Sequence, residues 1–287
     1  MGIGEQAKTI FSFEVFPPKR DMPLDSIYEA LGELSDLKPD FISVTCGAGG
    51  SASGGSSRTI EVTSAIQDKY GREGVVHLPC IYFAKDEVIE TLKQMEEKGI
   101  KKLLALRGDR VPGEEPKQDF RYARDLVAFV REQVGDRIQI FAACYPEGHV
   151  EAPDLKTDIA YLKEKVDAGV DRLISQLFFN NDYFYEFREK TAAAGINVPI
   201  EAGIMPVTSK KQIERMVTLC GATLPRKFQR VLAKYEAQPE ALRDAGIAFA
   251  IDQIVDLLGH GVDGIHLYTM NNPYIARKIS ESVRSLL

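Results

Sequence analysis

Short apolar runs alternate with amphipathic stretches from one end of the chain to the other. Runs at 9–15, 41–45, 75–82, 103–107, 138–145, 173–179, 199–205 and 264–269 predict buried strands. Between them, stretches such as 86–98, 119–134, 155–168 and 209–219 repeat apolar residues at three- and four-residue steps. Their charges fall on the other face, the pattern of helices resting on a core. Asp86 and Asp154 stand where two such helices begin, and Gly99 and Gly169 where they end. Eight strand–helix units in 287 residues predict an α/β fold, a closed (β/α)8 TIM barrel. An open doubly wound sheet needs a glycine fingerprint after its first strand, and none follows Val15. The stretch from Ala222 to Gly259 is longer than one crossover needs and predicts extra helices, 225–235 and 239–258, before the last strand. No linker-like shift in composition breaks the pattern, so residues 1–287 are expected to form a single catalytic barrel domain.

Composition narrows the function class. Hydrophobic residues make up 44% and charged residues 27%, a globular balance. A net charge of −6 argues against nucleic acid as the partner. No apolar run approaches the roughly 20 residues of a membrane span, and residues 1–8 carry no apolar signal core. A cytoplasmic enzyme acting on small molecules is the expectation. Cys46, Cys80, Cys144 and Cys220 show no CxxC spacing, so neither a disulfide framework nor a zinc ribbon is indicated.

Barrel enzymes build their sites where strands end, and here those ends are rich in polar groups. Ser12 and Glu14 close the first strand, Ser43 and Thr45 the second, Arg107 and Asp109 the fourth, and Tyr145 and Glu147 the fifth. Gln176 belongs to the sixth, and His266 and Tyr268 to the eighth. Alternation sends Ser12 and Glu14 to the barrel interior and Phe11, Phe13 and Val15 to the helices. A partly desolvated carboxylate at the rim suits general-acid work; the plainer alternative is a structural pair between Glu14 and an arginine such as Arg107. Arg107 suits a phosphate, Asp109 a ligand ring, and Gly108 a close backbone approach, against the duller reading of a turn with an internal Arg107–Asp109 pair. The glycine-rich run 47–55 lacks the phosphate-loop order and predicts a loop over the barrel mouth.

His77, early on its strand, has the setting of a satisfied core histidine, whereas His149 in its loop is better placed for ligand contact. Cys46, Cys80 and Cys144 near strand ends, with inward His266, raise a zinc site. Their unpaired spacing, and the preference of barrel interiors for small apolar residues, favour no metal. Phe178, Phe179, Tyr183, Phe184, Tyr185 and Phe187 offer either a stacking surface or, more commonly, core packing.

Several words along the chain are distinctive together. They are Phe11-Ser12-Phe13-Glu14-Val15-Phe16-Pro17-Pro18-Lys19, Ser43-Val44-Thr45-Cys46-Gly47-Ala48-Gly49-Gly50, Leu104-Ala105-Leu106-Arg107-Gly108-Asp109, Tyr145-Pro146-Glu147-Gly148-His149 and Lys165-Val166-Asp167-Ala168-Gly169. Gln176-Leu177-Phe178-Phe179, Gly203-Ile204-Met205-Pro206-Val207 and Tyr268-Thr269-Met270-Asn271 complete the set. In this order, from residue 11 to residue 271, the chain resembles the methylenetetrahydrofolate reductase family.

The resemblance implies a flavoprotein barrel with FAD that takes electrons from NADH or NADPH in a ping-pong reaction. It would reduce 5,10-methylenetetrahydrofolate to 5-methyltetrahydrofolate. By this likeness Glu14 is the general acid, and Asp109 lies between flavin and pterin. Gln176 and Gln212 contact the folate together with Met216 and Tyr268, and Thr45, His77, Arg107, Gly108, Asp109, Ala123, Tyr145, His149, Asp158 and Lys165 hold FAD. Self-association into a homo-oligomer is implied as well. Three positions depart from the family pattern: Met216 where an aromatic residue or leucine is common, Asn272 where arginine is common, and Glu164 where some members carry an arginine near the FAD phosphates. The last leaves more of that task to Lys165. With one helix expected after the final strand, the regulatory domain of longer relatives is not anticipated. Two other classes stay open: a zinc-dependent methyl-transfer barrel, and a flavin- or folate-binding electron-transfer subunit of a larger redox complex.

Overall fold

A computed structural model of the chain describes residues 8–19, 21–46, 55–111 and 113–287. Its strands are β1 (Ile10–Val15), β2 (Phe41–Val44), β3 (Glu73–Pro79), β4 (Lys102–Leu106), β5 (Gln139–Cys144), β6 (Arg172–Ser175), β7 (Ile200–Ile204) and β8 (Gly264–Tyr268). All neighbours pair in parallel, and β8 pairs with β1 to close the barrel. The helices are α1 (Tyr28–Asp36), α2 (Gly55–Tyr70), α3 (Lys85–Glu97), α4 (Ala123–Val134), α5 (Leu155–Asp167), α6 (Asn181–Ala193), α7 (Lys210–Cys220), α8 (Arg226–Tyr235), α9 (Pro239–Gly259) and α10 (Pro273–Val283). The expected (β/α)8 barrel is therefore present, with α8 and α9 as the extra helices before β8.

The side-chain alternation read from the sequence sorts the core into two layers. Phe13, Val15, Ile42 and Val44 pack outward against helices carrying Leu31, Leu34 and Ile66, all without solvent exposure. Inside the barrel, Phe41, Val75, Leu104, Phe141 and Ile174 form a separate plug. Phe41 and Phe141 meet edge to face at 5.3 Å, a geometry favoured by the ring quadrupoles. Cys80 and Cys144 join the outer layer rather than the interior expected for them, and burial pushes both thiols up to about 12.

Near the starts of the strands the interior is polar. Glu201 on β7 is fully buried and accepts hydrogen bonds from Ser12 Oγ at 2.6 Å and Arg172 Nη1 at 3.3 Å. Burial, the largest influence, pushes its carboxyl above the usual range. Gly264 across the pair is obligatory, since a Cβ there would stand 2.8 Å from Glu201 Cγ.

Two strands end three or four residues earlier than predicted. β3 ends at Pro79, because the Cys80 and Ile81 amides turn to the Arg107 carbonyl and Phe83 N–H closes a turn on Cys80. β6 ends at Ser175, and the chain from Leu177 onward leaves the barrel for the layer beneath α9, where Gln253 Nε2 donates to the Phe178 carbonyl at 2.9 Å. The aromatic cluster resolves as core: Phe178 and Phe184 stack at 5.0 Å, and neither they nor Phe187 is exposed. Of the glycine-rich run, residues 47–54 lie outside the described residues, and Gly55 opens α2.

Candidate active site

Two clefts open at the C-terminal end of the strands and share a wall. The central one, about 380 Å³, lies over the barrel axis and is lined by Glu14, Thr45, His77, Arg107, Gly108, Asp109, Tyr145, His149, Gln176, Met205, Met216 and Tyr268 among others. The lateral one, about 510 Å³, runs between α4 and α5 past Arg107, Ala123, Tyr145, His149, Asp158 and Lys165. Leu106, Arg107, Ala143, Tyr145 and His149 belong to both.

Glu14 turns inward at the end of β1, its side chain 22% exposed. Among the described residues no arginine pairs with it. Its Oε2 lies 3.6 Å from His77 Nε2 and 3.8 Å from His266 Nε2. Burial depresses His77 to about 4, overriding the opposing pull of Glu14, so the imidazole is neutral near pH 7. Its Nε2 is buried and without a hydrogen-bond partner, so His77 is not the satisfied core histidine of the sequence expectation. His266 is fully buried, with Nδ1 2.7 Å from Ser12 Oγ, and its ring stacks on Phe41 at 5.9 Å.

The rim that carries Glu14 is tied from the other side of the barrel closure. Thr269 Oγ1 donates to the Glu14 carbonyl at 2.6 Å. The Asn271 carboxamide accepts from Phe16 N–H at 3.0 Å and donates to its carbonyl at 2.8 Å, imitating a strand neighbour. Met270 and Asn271 hold φ of 52° and 54°, a left-handed conformation that costs energy outside glycine.

Tyr268 Oη donates to the Ser175 carbonyl at 2.7 Å. Gly203 makes room for this contact, because a Cβ there would sit 2.7 Å from that hydroxyl oxygen. The phenol is held far above its usual range, first by burial and then by Glu14. Gln176 accepts from the Leu177 N–H at 2.9 Å. Gln212 behaves differently from expectation: it does not line the central cleft, and its Oε1 accepts from Thr208 Oγ1 at 3.0 Å. Met216, one helical turn later on α7, is the residue of that face that reaches the cleft.

Arg107 forms neither of the pairs weighed for it. Its Nη1 and Nη2 donate to Glu151 Oε2 and Oε1 at 2.5 and 2.9 Å, a fork that raises the guanidinium and lowers the carboxyl. Gly108 has φ +88°, and a Cβ there would meet Pro79 Cβ at 2.8 Å. The turn and the packing on Pro79 both require the glycine, which also lines the central cleft. Asp109 stands exposed on the central cleft.

In the lateral cleft Lys165 Nζ donates to the Ala143 carbonyl at 2.6 Å, and burial lowers the ammonium. Asp158 accepts from the His149 N–H at 3.1 Å, and burial raises its carboxyl. His149 is lowered by burial and then by Arg107, and its ring meets Tyr145 edge-on at 4.7 Å. Its Nδ1 accepts from Glu151 N–H at 3.1 Å, which leaves Nε2 to carry the ring proton of the neutral form. Sequence reasoning missed Glu151, Arg124, Tyr122 and Tyr161 of this cleft. Only the place of Glu151, two residues after His149 in a loop, offered a signal. Among the described residues no cluster of three or more His, Cys, Asp or Glu side chains is arranged to hold a metal, and no helix is long and apolar enough to cross a membrane.

The fold is shared with an uncharacterized Clostridium thermocellum protein that binds two copies of 5-methyl-5,6,7,8-tetrahydrofolic acid. The TM-score is 0.68 at 14% identity, covering 98% of this chain and 97% of that one. Sequence comparisons reach further. The chain is 36% identical to 5,10-methylenetetrahydrofolate reductase of Pectobacterium carotovorum subsp. carotovorum, over 97% of this chain and 91% of the relative. It is 34% identical to the Escherichia coli protein of that name, over 97% and 92%. It is also 36% identical to methylenetetrahydrofolate reductase (NADH) 1 of Arabidopsis thaliana, and there it spans about half of the relative, 47%. The family profile of methylenetetrahydrofolate reductase matches residues 2–284, and this chain belongs to that family.

Proposed function

We propose that the chain reduces 5,10-methylenetetrahydrofolate to 5-methyltetrahydrofolate through bound FAD, with NADH or NADPH as donor, in two half-reactions that use the central cleft in turn. The observation that carries the reading is Glu14: a carboxylate at the rim, free of any arginine or lysine pair among the described residues and facing neutral His77 across 3.6 Å. A carboxylate without a cation retains the ability to carry and deliver a proton.

The residues present fit FAD. His77 presents a buried, unpartnered Nε2 toward the central cleft, where a polar ring edge would complete it. The lateral cleft, joined to it through a common wall, offers Arg107 and Lys165 for phosphate groups. Thr45 and Tyr145 line the central chamber, Ala123 and Asp158 the arm.

When bound, the flavin supplies the hydride, a chemistry no side chain has. The chain supplies proton, orientation and dryness. Glu14 donates a proton to the departing nitrogen of the five-membered folate ring, opening it to the 5-iminium cation whose methylene carbon receives the hydride. Asp109, exposed on the same cleft, offsets the developing positive charge. Gln176 and Tyr268 fix the pterin edge, and Met205 and Met216 give the rest of the substrate an apolar bed. His77, neutral near pH 7, places no positive charge beside Glu14.

The absorption spectrum of the purified protein tests this reading. A yellow protein that bleaches with NADH or NADPH and recovers on adding 5,10-methylenetetrahydrofolate is expected; a colourless protein that binds no added FAD refutes it. Asp109→Asn should shift the flavin potential and slow the folate step together, and unchanged values for both would remove Asp109 from the site.

A further inference from the structure

The lateral cleft holds both of its arginines already paired. Arg107, just past β4, is forked by Glu151 from the loop after β5. Arg124, in the first turn of α4, reaches across to Glu164 near the end of α5. Lys165 donates to the Ala143 carbonyl rather than to a carboxylate, and Asp158 adds a third carboxylate to the lining. The lining thus carries three cations and three carboxylates, with both arginines already holding an anion. Yet the groups that hold anions are there. The first-turn N–H groups of α4, at Ala123 and Arg124, have no acceptor within the helix and lie on the cleft wall.

The two glutamates differ from the deeper carboxylate. Their side chains are 54% and 51% exposed, whereas Asp158 is bound to the His149 N–H and partly buried. An exposed carboxylate on a guanidinium is held weakly, because water competes for both partners. A diphosphate, with a negative charge on each phosphate group, competes well for the same forks, and helix N–H groups add to it. Tyr122 and Tyr161, 44% and 55% exposed, flank the same cleft, with Arg124 6.0 Å from the Tyr122 ring centre. Phosphate donors and exposed rings along one cleft match a nucleotide better than a simple anion.

We propose that Glu151 and Glu164 are exchangeable internal counterions. A nucleotide diphosphate displaces them from Arg107 and Arg124, and Arg124 thereby becomes a phosphate-binding residue. The inference rests on the functional reading above only for the identity of the natural ligand, FAD. The exchange itself is probed with ADP.

ADP binding to the nucleotide-free full chain, measured by calorimetry, gives the test. Glu164→Gln should bind ADP about two- to fivefold more tightly than the parent, the strength of one exposed ion pair. Arg124→Gln should bind about tenfold more weakly, the loss of one charge-assisted contact. The deciding comparison is Arg124→Gln with Glu164→Gln: once Arg124 is gone, removing Glu164 should bring no gain. Glu151→Gln should repeat the tightening through Arg107, and unchanged melting temperatures would show that these exposed positions leave the fold intact. An equal gain from Glu164→Gln in both backgrounds would reveal a general field effect and overturn the proposal. So would an unchanged or weaker affinity in Glu164→Gln alone, or absence of ADP binding by the parent. A chain that shows the predicted coupling but takes up no flavin keeps the exchange and loses the flavin reading. A flavin-bearing chain with additive responses does the reverse.

Discussion

The two clefts treat charge in opposite ways. In the central cleft the inward carboxylate at the end of β1, Glu14, has no lysine or arginine partner among the described residues, and the two histidines beside it lie buried. In the lateral cleft both arginines meet a carboxylate, and the carboxylates of these pairs stand half in water. An unpaired carboxylate in a dry setting can change protonation state during a reaction. A forked arginine cannot, but it can trade one anion for another. The difference separates chemistry from retention along a single continuous surface.

Changes in the central cleft should therefore alter turnover, and changes in the lateral cleft should alter what stays bound. The largest effect is expected for Glu14→Gln. Rapid mixing should find flavin reduction by NADH intact and the folate step slowed by about 10²–10⁴-fold; an undiminished folate step would erase the contrast. Next in size is a pH effect on stability. His77 binds a proton near 6.5 when unfolded and near 4 when folded, so below 6.5 the unfolded chain takes up protons that the folded chain refuses. Its contribution to stability is full above pH 6.5 and is lost as pH falls toward 4, by at most about 3 kcal/mol. Urea midpoints of the parent should drop more steeply over that range than those of His77→Gln, and parallel curves would remove His77 from the account. Lys165→Met probes the other cleft. Flavin fluorescence released on dilution should report about 10–100-fold weaker retention, while turnover at saturating FAD stays within about twofold; a large loss of turnover at saturation would blur the two roles. The smallest change is Asn271→Ala, which removes two hydrogen bonds to Phe16 and should cost about 1–2 kcal/mol in chemical denaturation.

The barrel and the inward aim of Glu14 were legible because each follows from a period: two for the strands, nearly four for the helices. Strand alternation needs no knowledge of neighbours to place Ser12 beside Glu14. Charge pairing has no such period. Arg107 and Glu151 are 44 residues apart and Arg124 and Glu164 are 40 apart, on successive strand–helix units. The conformation of the intervening loops decides which carboxylate each arginine meets, and so the Arg107–Asp109 pair that sequence proximity offered does not form. Gly108 illustrates the same limit: the sequence marks a glycine, but only the neighbouring Pro79 shows why no other residue fits. Gln212 shares a helix face with Met216 but stands one turn nearer the start of α7, where Thr208 Oγ1 bonds its carboxamide and Met216 is the one that lines the cleft.

The wall shared by the clefts, from Leu106 and Arg107 to Tyr145 and His149, bears on how long any occupant stays. A molecule long enough to grip both sides of it leaves only when both grips open at once, since each keeps the other end at high effective concentration. Such a molecule behaves as a fixture. A shorter visitor that enters past Met205 and Met216 has one hold to release and can come and go with every cycle.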